Sequence, residues 1–191
     1  MNKAQAYYHA SLNAPIRPAL NKVVNANQAV EKVAIDCGCG VGNESAFLLE
    51  QGYHVHGFDT SAIAADICKA RFAGQSHYQF TQCGFEAFNY PQSSLIMANA
   101  SLYFCEKAKF AQVWQAWQQS LQSGGVLLVD FLEVEDEWLQ TSPDMLAFTE
   151  DELRKLLQTF EILTLKEIKG IYPLRAGGEK FWHSFIVVAR K

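Results

Sequence analysis

From residue 32 onward, short apolar runs alternate with longer stretches whose apolar positions recur every three or four residues. Such alternation predicts parallel strands joined by crossover helices, an α/β fold. Strands are expected at Lys32–Asp36, His54–Asp59, Tyr78–Gln82, Ser94–Asn99 and Gly125–Leu132, each short, apolar or β-branched and bounded by turn residues. Phe110, Val113, Trp114, Trp117 and Leu121 share one face of a predicted helix over Glu106–Gln122, which Gly124 and Gly125 stop. A second helix is expected to start at Thr149, capped through Glu152, with Phe148 stapled onto Leu153 and with Leu153, Leu156 and Leu157 facing inward. Glu161–Lys169 and Glu179–Arg190 then read as two strands of an antiparallel hairpin, separated by a turn holding Pro173, Gly177 and Gly178. The acidic stretch between Glu133 and Ala147 keeps no period and reads as a loop or short helices over a site.

At 191 residues, with 49% hydrophobic and 19% charged positions, the chain suits a single globular domain able to cover a sheet on both faces. A formal net charge of -4 with scattered basic residues argues against nucleic acid as a partner. No apolar run reaches the roughly 18 residues of a membrane span, and the first residues lack the apolar core of a signal peptide, so a cytoplasmic protein with no membrane partner is expected. Five cysteines without a CxxC pair suit reduced thiols, and no metal site is expected from them.

The chemistry concentrates at Val33-Ala-Ile-Asp36-Cys-Gly38-Cys39-Gly40-Val-Gly42-Asn43, a strand running into a glycine turn and then a helix. Glycines there allow a tight turn and close approach of a ligand to the backbone. The next strand ends at Asp59, where a carboxylate could take both hydroxyls of a ribose. A dinucleotide site uses the same two signals, but its pattern wants Gly or Ala where Asn43 stands, and Asp36 would repel a pyrophosphate while suiting a cationic amino acid end. The reading therefore favours S-adenosylmethionine over a nicotinamide or flavin dinucleotide.

At these residues the chain resembles the class I S-adenosylmethionine-dependent methyltransferases, and within them a tellurite-resistance TehB-like branch of small enzymes. The similarity runs from about Arg17 onward, through Arg17-Pro-Ala-Leu, the glycine loop, Gly57-Phe-Asp59, Phe85-Glu-Ala-Phe, Ala98-Asn-Ala-Ser-Leu-Tyr-Phe-Cys105, Phe148-Thr-Glu-Asp-Glu-Leu153 and Lys180-Phe-Trp-His-Ser-Phe. The resemblance implies a Rossmann-like, doubly wound three-layer sandwich with a mostly parallel seven-stranded sheet ending in the antiparallel hairpin. In a single domain over 1–191, an N-terminal helical segment over 1–31 is expected to cover the cofactor site and 133–148 to form a lid insertion. Asp36, Gly38, Cys39, Gly40 and Gly42 would take the methionine portion, Asp59 and Thr60 the ribose, and Phe85 and Glu86 the adenine. Arg17 would pair with the cofactor carboxylate. Many relatives carry Asp at the position aligned with Cys83, so the adenine contact passes to Glu86 or a backbone carbonyl.

Asn99, Ala100 and Ser101 follow the fourth strand and should border the methyl group at the carboxyl edge of the sheet, with Tyr103 and Phe104 as a wall. The hairpin should turn at that same edge, bringing Trp182 and His183 toward the pocket. A histidine there could take a substrate proton or bind an anionic acceptor; the alternative is a hydrogen-bonded core histidine beside Phe181 and Phe185. The expected activity is methyl transfer to a small-molecule acceptor by direct displacement. A non-catalytic cofactor-binding module and a small NAD(P)-dependent oxidoreductase stay open as alternatives.

Overall fold

The computed structural model describes residues 3–175 and 177–191; Met1 and Asn2, part of the segment expected to cover the site, and Ala176, in the hairpin turn, lie outside the described residues. The helices are α1 (Lys3–Ser11), α2 (Ala19–Ala26), α3 (Asn43–Glu50), α4 (Ala62–Arg71), α5 (Phe110–Ser120), α6 (Trp138–Thr141) and α7 (Glu150–Leu156). The strands are β1 (Val33–Cys37), β2 (His54–Asp59), β3 (Tyr78–Gln82), β4 (Ser93–Ala98), β5 (Leu121–Leu132), β6 (Glu161–Pro173) and β7 (Glu179–Arg190).

They form one sheet of order β3-β2-β1-β4-β5-β7-β6. Strands β1 to β5 pair in parallel, while β7 runs antiparallel between β5 and β6. The seven-stranded α/β sheet with a terminal hairpin is thus the expected fold. Strand order reverses beside β1, with β2 on one side and β4 on the other, which opens a crevice at their carboxyl ends.

Alternation along the central strands sorts the core into two layers. Ile35, Ile96, Leu127, Val129, Phe131 and Val187 face Trp114, Trp117 and Leu153 of α5 and α7. Ala34, Leu95, Met97, Val126, Leu128 and Val188 face Leu20 and Val23 of α2 and Leu48 of α3. No helix among the described residues is long and apolar enough to cross a membrane.

Several boundaries differ from the sequence pattern by a few residues, and two of them have a clear cause. Helix α5 stops at Ser120, before the glycines, because Leu121 already pairs with Ser93 and opens β5. β6 continues to Pro173 because β7 offers it partners throughout, Pro173 opposite Glu179. At α7 the capping box is complete, with Thr149 and Glu152 each bonding the other's backbone. Phe148 sits edge-on to Phe110 and Phe131 in the cluster that holds Leu153.

Candidate active site at the glycine loop

Strand β1 delivers Asp36 and Cys37 into a turn in which Gly38, Gly40 and Gly42 all have positive φ. At Gly38 a Cβ would lie 2.5 Å from that of Ser101, whose hydroxyl donates to the Cys37 carbonyl at 2.6 Å, so the loop is pinned to the segment after β4. Gly40 is different. The nearest atom to a Cβ there would be a ring carbon of Tyr8, 3.9 Å away, so this face carries no clash and is covered by the Tyr8 ring of α1.

The two acidic strand ends take different partners. Oδ2 of Asp59 accepts the Gly40 N–H at 3.0 Å, and Oδ1 accepts the Ser61 N–H at 2.9 Å and the Tyr8 hydroxyl at 3.3 Å. One carboxylate thereby joins the glycine loop, the start of α4 and the N-terminal helix. Burial, with Asp59 close by, pushes the Tyr8 phenol up to about 12. Asp36 lies under the loop, 4% exposed, and its Oδ2 accepts the Ser45 hydroxyl of α3 at 2.6 Å. Burial first, and the charge of Glu44 second, hold the Asp36 carboxyl well above the usual carboxylate range.

Asn43 explains how the first residues reach this edge. Its amide nitrogen donates to the carbonyls of Ser11 and Ala14 at 2.7 and 3.2 Å, and its oxygen accepts from Arg71. The Cys39 side chain turns to the flank, packing with Cys68 and Phe72, so its backbone is what the loop presents. Thr60 is exposed, and its carbonyl accepts from Gln82.

Across the crevice, Asn99 follows β4, and both polar atoms of its amide are buried without a hydrogen-bond partner among the described residues. Buried polar atoms left this way are costly, and they mark a place where a polar ligand would be held. Ala100 takes φ +51, a left-handed conformation that aims its N–H at Oδ2 of Asp130, 2.7 Å away. The other edge of Asp130 receives Arg17, whose Nη1 donates to Oδ1 at 2.7 Å while Nη2 bonds Oδ2. Arg17 is thus engaged with the sheet. Burial raises the Asp130 carboxyl, and Arg17 opposes the rise. Phe85 is buried edge-on to Phe58, and Glu86 is exposed beside Gly84. The loop and Asp59 are joined directly; the segment after β4 that holds Asn99 and Ala100 meets the loop through Ser101.

The aromatic wall is longer than the sequence suggests. The ring centroids of Tyr103 and Trp138 lie 5.6 Å apart, those of Trp138 and Trp182 lie 4.9 Å apart, and Phe104 sits 4.8 Å from Tyr103. Burial, with Asp130 nearby, raises the Tyr103 phenol strongly. Lys180 stands over both indoles, 4.4 Å from Trp138 and 4.0 Å from Trp182, and pairs with the buried Asp136.

His183 lies apart from the glycine loop, 4% exposed, on the β7 face that carries Phe185. Its Nε2 is 2.7 Å from Oε1 of Glu167, and its backbone N–H donates to Oδ2 of Asp136 at 2.8 Å. Trp182 points to the opposite face, as adjacent strand residues do. Sequence reasoning therefore missed Tyr8, Ser45, Asp130, Trp138 and Lys180, whose roles depend on contacts between distant segments.

Residues 34–125 match the family described as a methyltransferase domain. The fold is that of class I methyltransferases. TehB from Haemophilus influenzae aligns over 98% of this chain and 67% of its own, with 18% identity and a TM-score of 0.78. The 1,6-didemethyltoxoflavin-N1-methyltransferase of Burkholderia thailandensis, solved with its substrate and S-adenosylhomocysteine, aligns over 98% of this chain and 84% of its own, with 19% identity and a TM-score of 0.65. The N-methyltransferase NodS from Bradyrhizobium japonicum, in complex with S-adenosylhomocysteine, covers 100% of this chain and 99% of its own at 14% identity and a TM-score of 0.67. No curated protein sequence matches the chain.

Proposed function

We propose that this methyltransferase domain binds S-adenosylmethionine and transfers its methyl group to a small-molecule acceptor. The observation that carries the reading is the Asp59 carboxylate, fixed by the Gly40 and Ser61 N–H groups at the rim of the glycine loop. The residues present fit such a cofactor on two counts: three glycines at positive φ put bare backbone at the turn, and the buried amide of Asn99 has donor and acceptor to spare. Asp59 and Thr60 would hold the ribose, Phe85 and Glu86 the adenine, and Asp36, the loop from Gly38 to Gly42, Asn99 and Ala100 the amino acid portion. The cofactor, once bound, supplies an electrophilic methyl on a sulfonium.

Asp36 orients the cationic end by charge. Asn99 satisfies its amide on the ligand, and α1 with Tyr8 keeps water from the loop. Direct displacement asks chiefly for alignment of the acceptor at roughly 3 Å, so a positioned wall serves where no acid or base is needed. Tyr103, Trp138 and Trp182 form that wall in this reading, and His183 supports it from behind. The similar 1,6-didemethyltoxoflavin-N1-methyltransferase, solved with that small molecule bound, supports the acceptor class. Five free cysteines, four of them buried, suit a reducing cytoplasm.

Calorimetric titration of the full chain with S-adenosylmethionine, S-adenosylhomocysteine and NADH tests the proposal. Micromolar binding of the sulfonium compound and its product, with no heat from NADH, is the expected result. Binding of NADH alone would establish an oxidoreductase instead, and silence from all three would leave a fold without its cofactor. Acceptors are then screened with metalloid oxyanions and small thiols among them.

A further inference from the structure

The end of β5, the start of β7 and the middle of β6 bring Glu133, Glu135, Glu167 and His183 together, away from the glycine loop. Nδ1 of His183 lies 3.0 Å from Oε2 of Glu133 and 3.4 Å from Oε2 of Glu135, and one ligand atom from each of these three residues falls within 4.8 Å of the others. Yet Nδ1, in a side chain 5% exposed, makes no hydrogen bond among the described residues, because the nearby oxygens stand off the line its N–H would take.

The other ring nitrogen explains what that means. Nε2 sits 2.7 Å from Oε1 of Glu167, an arrangement that fixes the tautomer with its proton on Nε2. The two carboxylate oxygens then stand to either side of the Nδ1 lone pair and off its axis, as fellow ligands of one ion would, and a cation on that axis offsets their buried negative charge. A carboxylate on one histidine nitrogen with a metal on the other is the usual outer support of a metal-binding histidine. The two spacings from Nδ1 agree as well: bonds of about 2.0–2.2 Å to nitrogen and oxygen imply ligand atoms separated by roughly 3–3.5 Å, against 3.0 and 3.4 Å here. Glu133 is held by the Glu135 N–H at 2.6 Å, and Glu135 by Lys169 at 3.2 Å, so both carboxylates have fixed directions.

We propose that Glu133, Glu135 and His183 bind one divalent transition-metal ion, oriented by Glu167. One imidazole and two carboxylates suit Zn2+ or Mn2+, and three protein ligands leave a position on the exposed Glu135 side for water or another ligand. The ion fastens the segment that begins at Glu133 to the hairpin. The proposal is independent of whether the methyl donor binds at the glycine loop.

The test is titration of the metal-free full chain with Zn2+ by calorimetry, with Co2+ absorption reporting the donor atoms. One ion per chain is expected, with visible Co2+ bands, no thiolate charge-transfer band and a raised Tm on Zn2+ addition. Glu167→Gln weakens binding about 10- to 100-fold, and His183→Ala abolishes it. Since removing a buried ring can itself cost the fold, Glu135→Gln, at a carboxylate that is 66% exposed, is the second variant and weakens binding at least about 10-fold. No binding by the unaltered chain, a thiolate band, or binding indifferent to both Glu135→Gln and Glu167→Gln overturns the proposal.

Discussion

The hydroxyl of Tyr8 donates to Oδ1 of Asp59, the same oxygen that one arm of a ribose diol would need. Under the proposed reading, Tyr8 and the ribose would compete for it. Tyr8→Phe keeps the ring over Gly40 and removes the competitor, and because a hydrogen bond to a charged partner is worth about 1.5–3 kcal/mol at most, S-adenosylhomocysteine should bind about 3- to 10-fold tighter. Asp59→Ala should weaken it by at least about 10-fold. Calorimetry on both variants reads the result; weaker binding by Tyr8→Phe would mean that the hydroxyl stays in contact with the ligand.

Asp36→Asn should stabilise the fold while weakening the cofactor. The folded Asp36 carboxyl sits well above the 3.8 of an ordinary aspartate, so its neutral form suits the fold and stability is lost as pH rises through the folded value. The variant lacks this loss. Its advantage should be absent below pH 3.8, grow as pH rises and level off once Asp36 is ionised in the fold. Urea unfolding of both proteins across that window measures it, and cofactor affinity should fall about 10-fold for want of the charge that meets the ligand's ammonium group.

Arg17→Ala leaves Asp130 with the Ala100 N–H but without its cation. Breaking a fully buried pair costs about 3–5 kcal/mol; with Arg17 29% exposed, about 1–3 kcal/mol is expected. At this chain length that lowers Tm by roughly 3–10 °C. The deficit should shrink at acid pH, where the raised Asp130 carboxyl takes a proton, and Arg17→Lys should recover only part because it lacks the two-pronged fork.

Thr149→Ala removes an N-cap hydroxyl that accepts the Glu152 N–H at 3.3 Å. A loss of about 0.5–2 kcal/mol is expected by denaturant unfolding. Cofactor affinity should not change, because α7 packs on the α5 side of the sheet.

Much of this was visible in the chain because it is governed by neighbours in sequence. The bounds of β2, β3 and β7 follow from local alternation, and the glycine loop from a strand, turn and helix within a dozen residues. Thr149 and Glu152 announce their own cap. The rest is tertiary. Tyr8 meets Asp59 across 51 positions and Arg17 meets Asp130 across 113, so no window contains both partners. His183 shows the same limit: its position at the start of β7 is legible, but three carboxylates from β6 and the segment after β5 decide what it touches. Arg17 was expected to face a ligand carboxylate and faces a protein one, a choice that charge alone cannot make.

The antiparallel placement of β7 has a consequence in time. Val126 to Leu132, the most apolar strand segment at the sheet's centre, pairs on one side with β4, already synthesised, and on the other only with Ser184 to Arg190. While the ribosome adds the intervening residues, that edge is bare and capable of sticking to any other extended chain. Closure of so distant a pair is also slow. Because β6 meets the sheet only through β7, the hairpin is expected to dock on β5 as one unit, and a chain stalled before that carries an adhesive edge at β5.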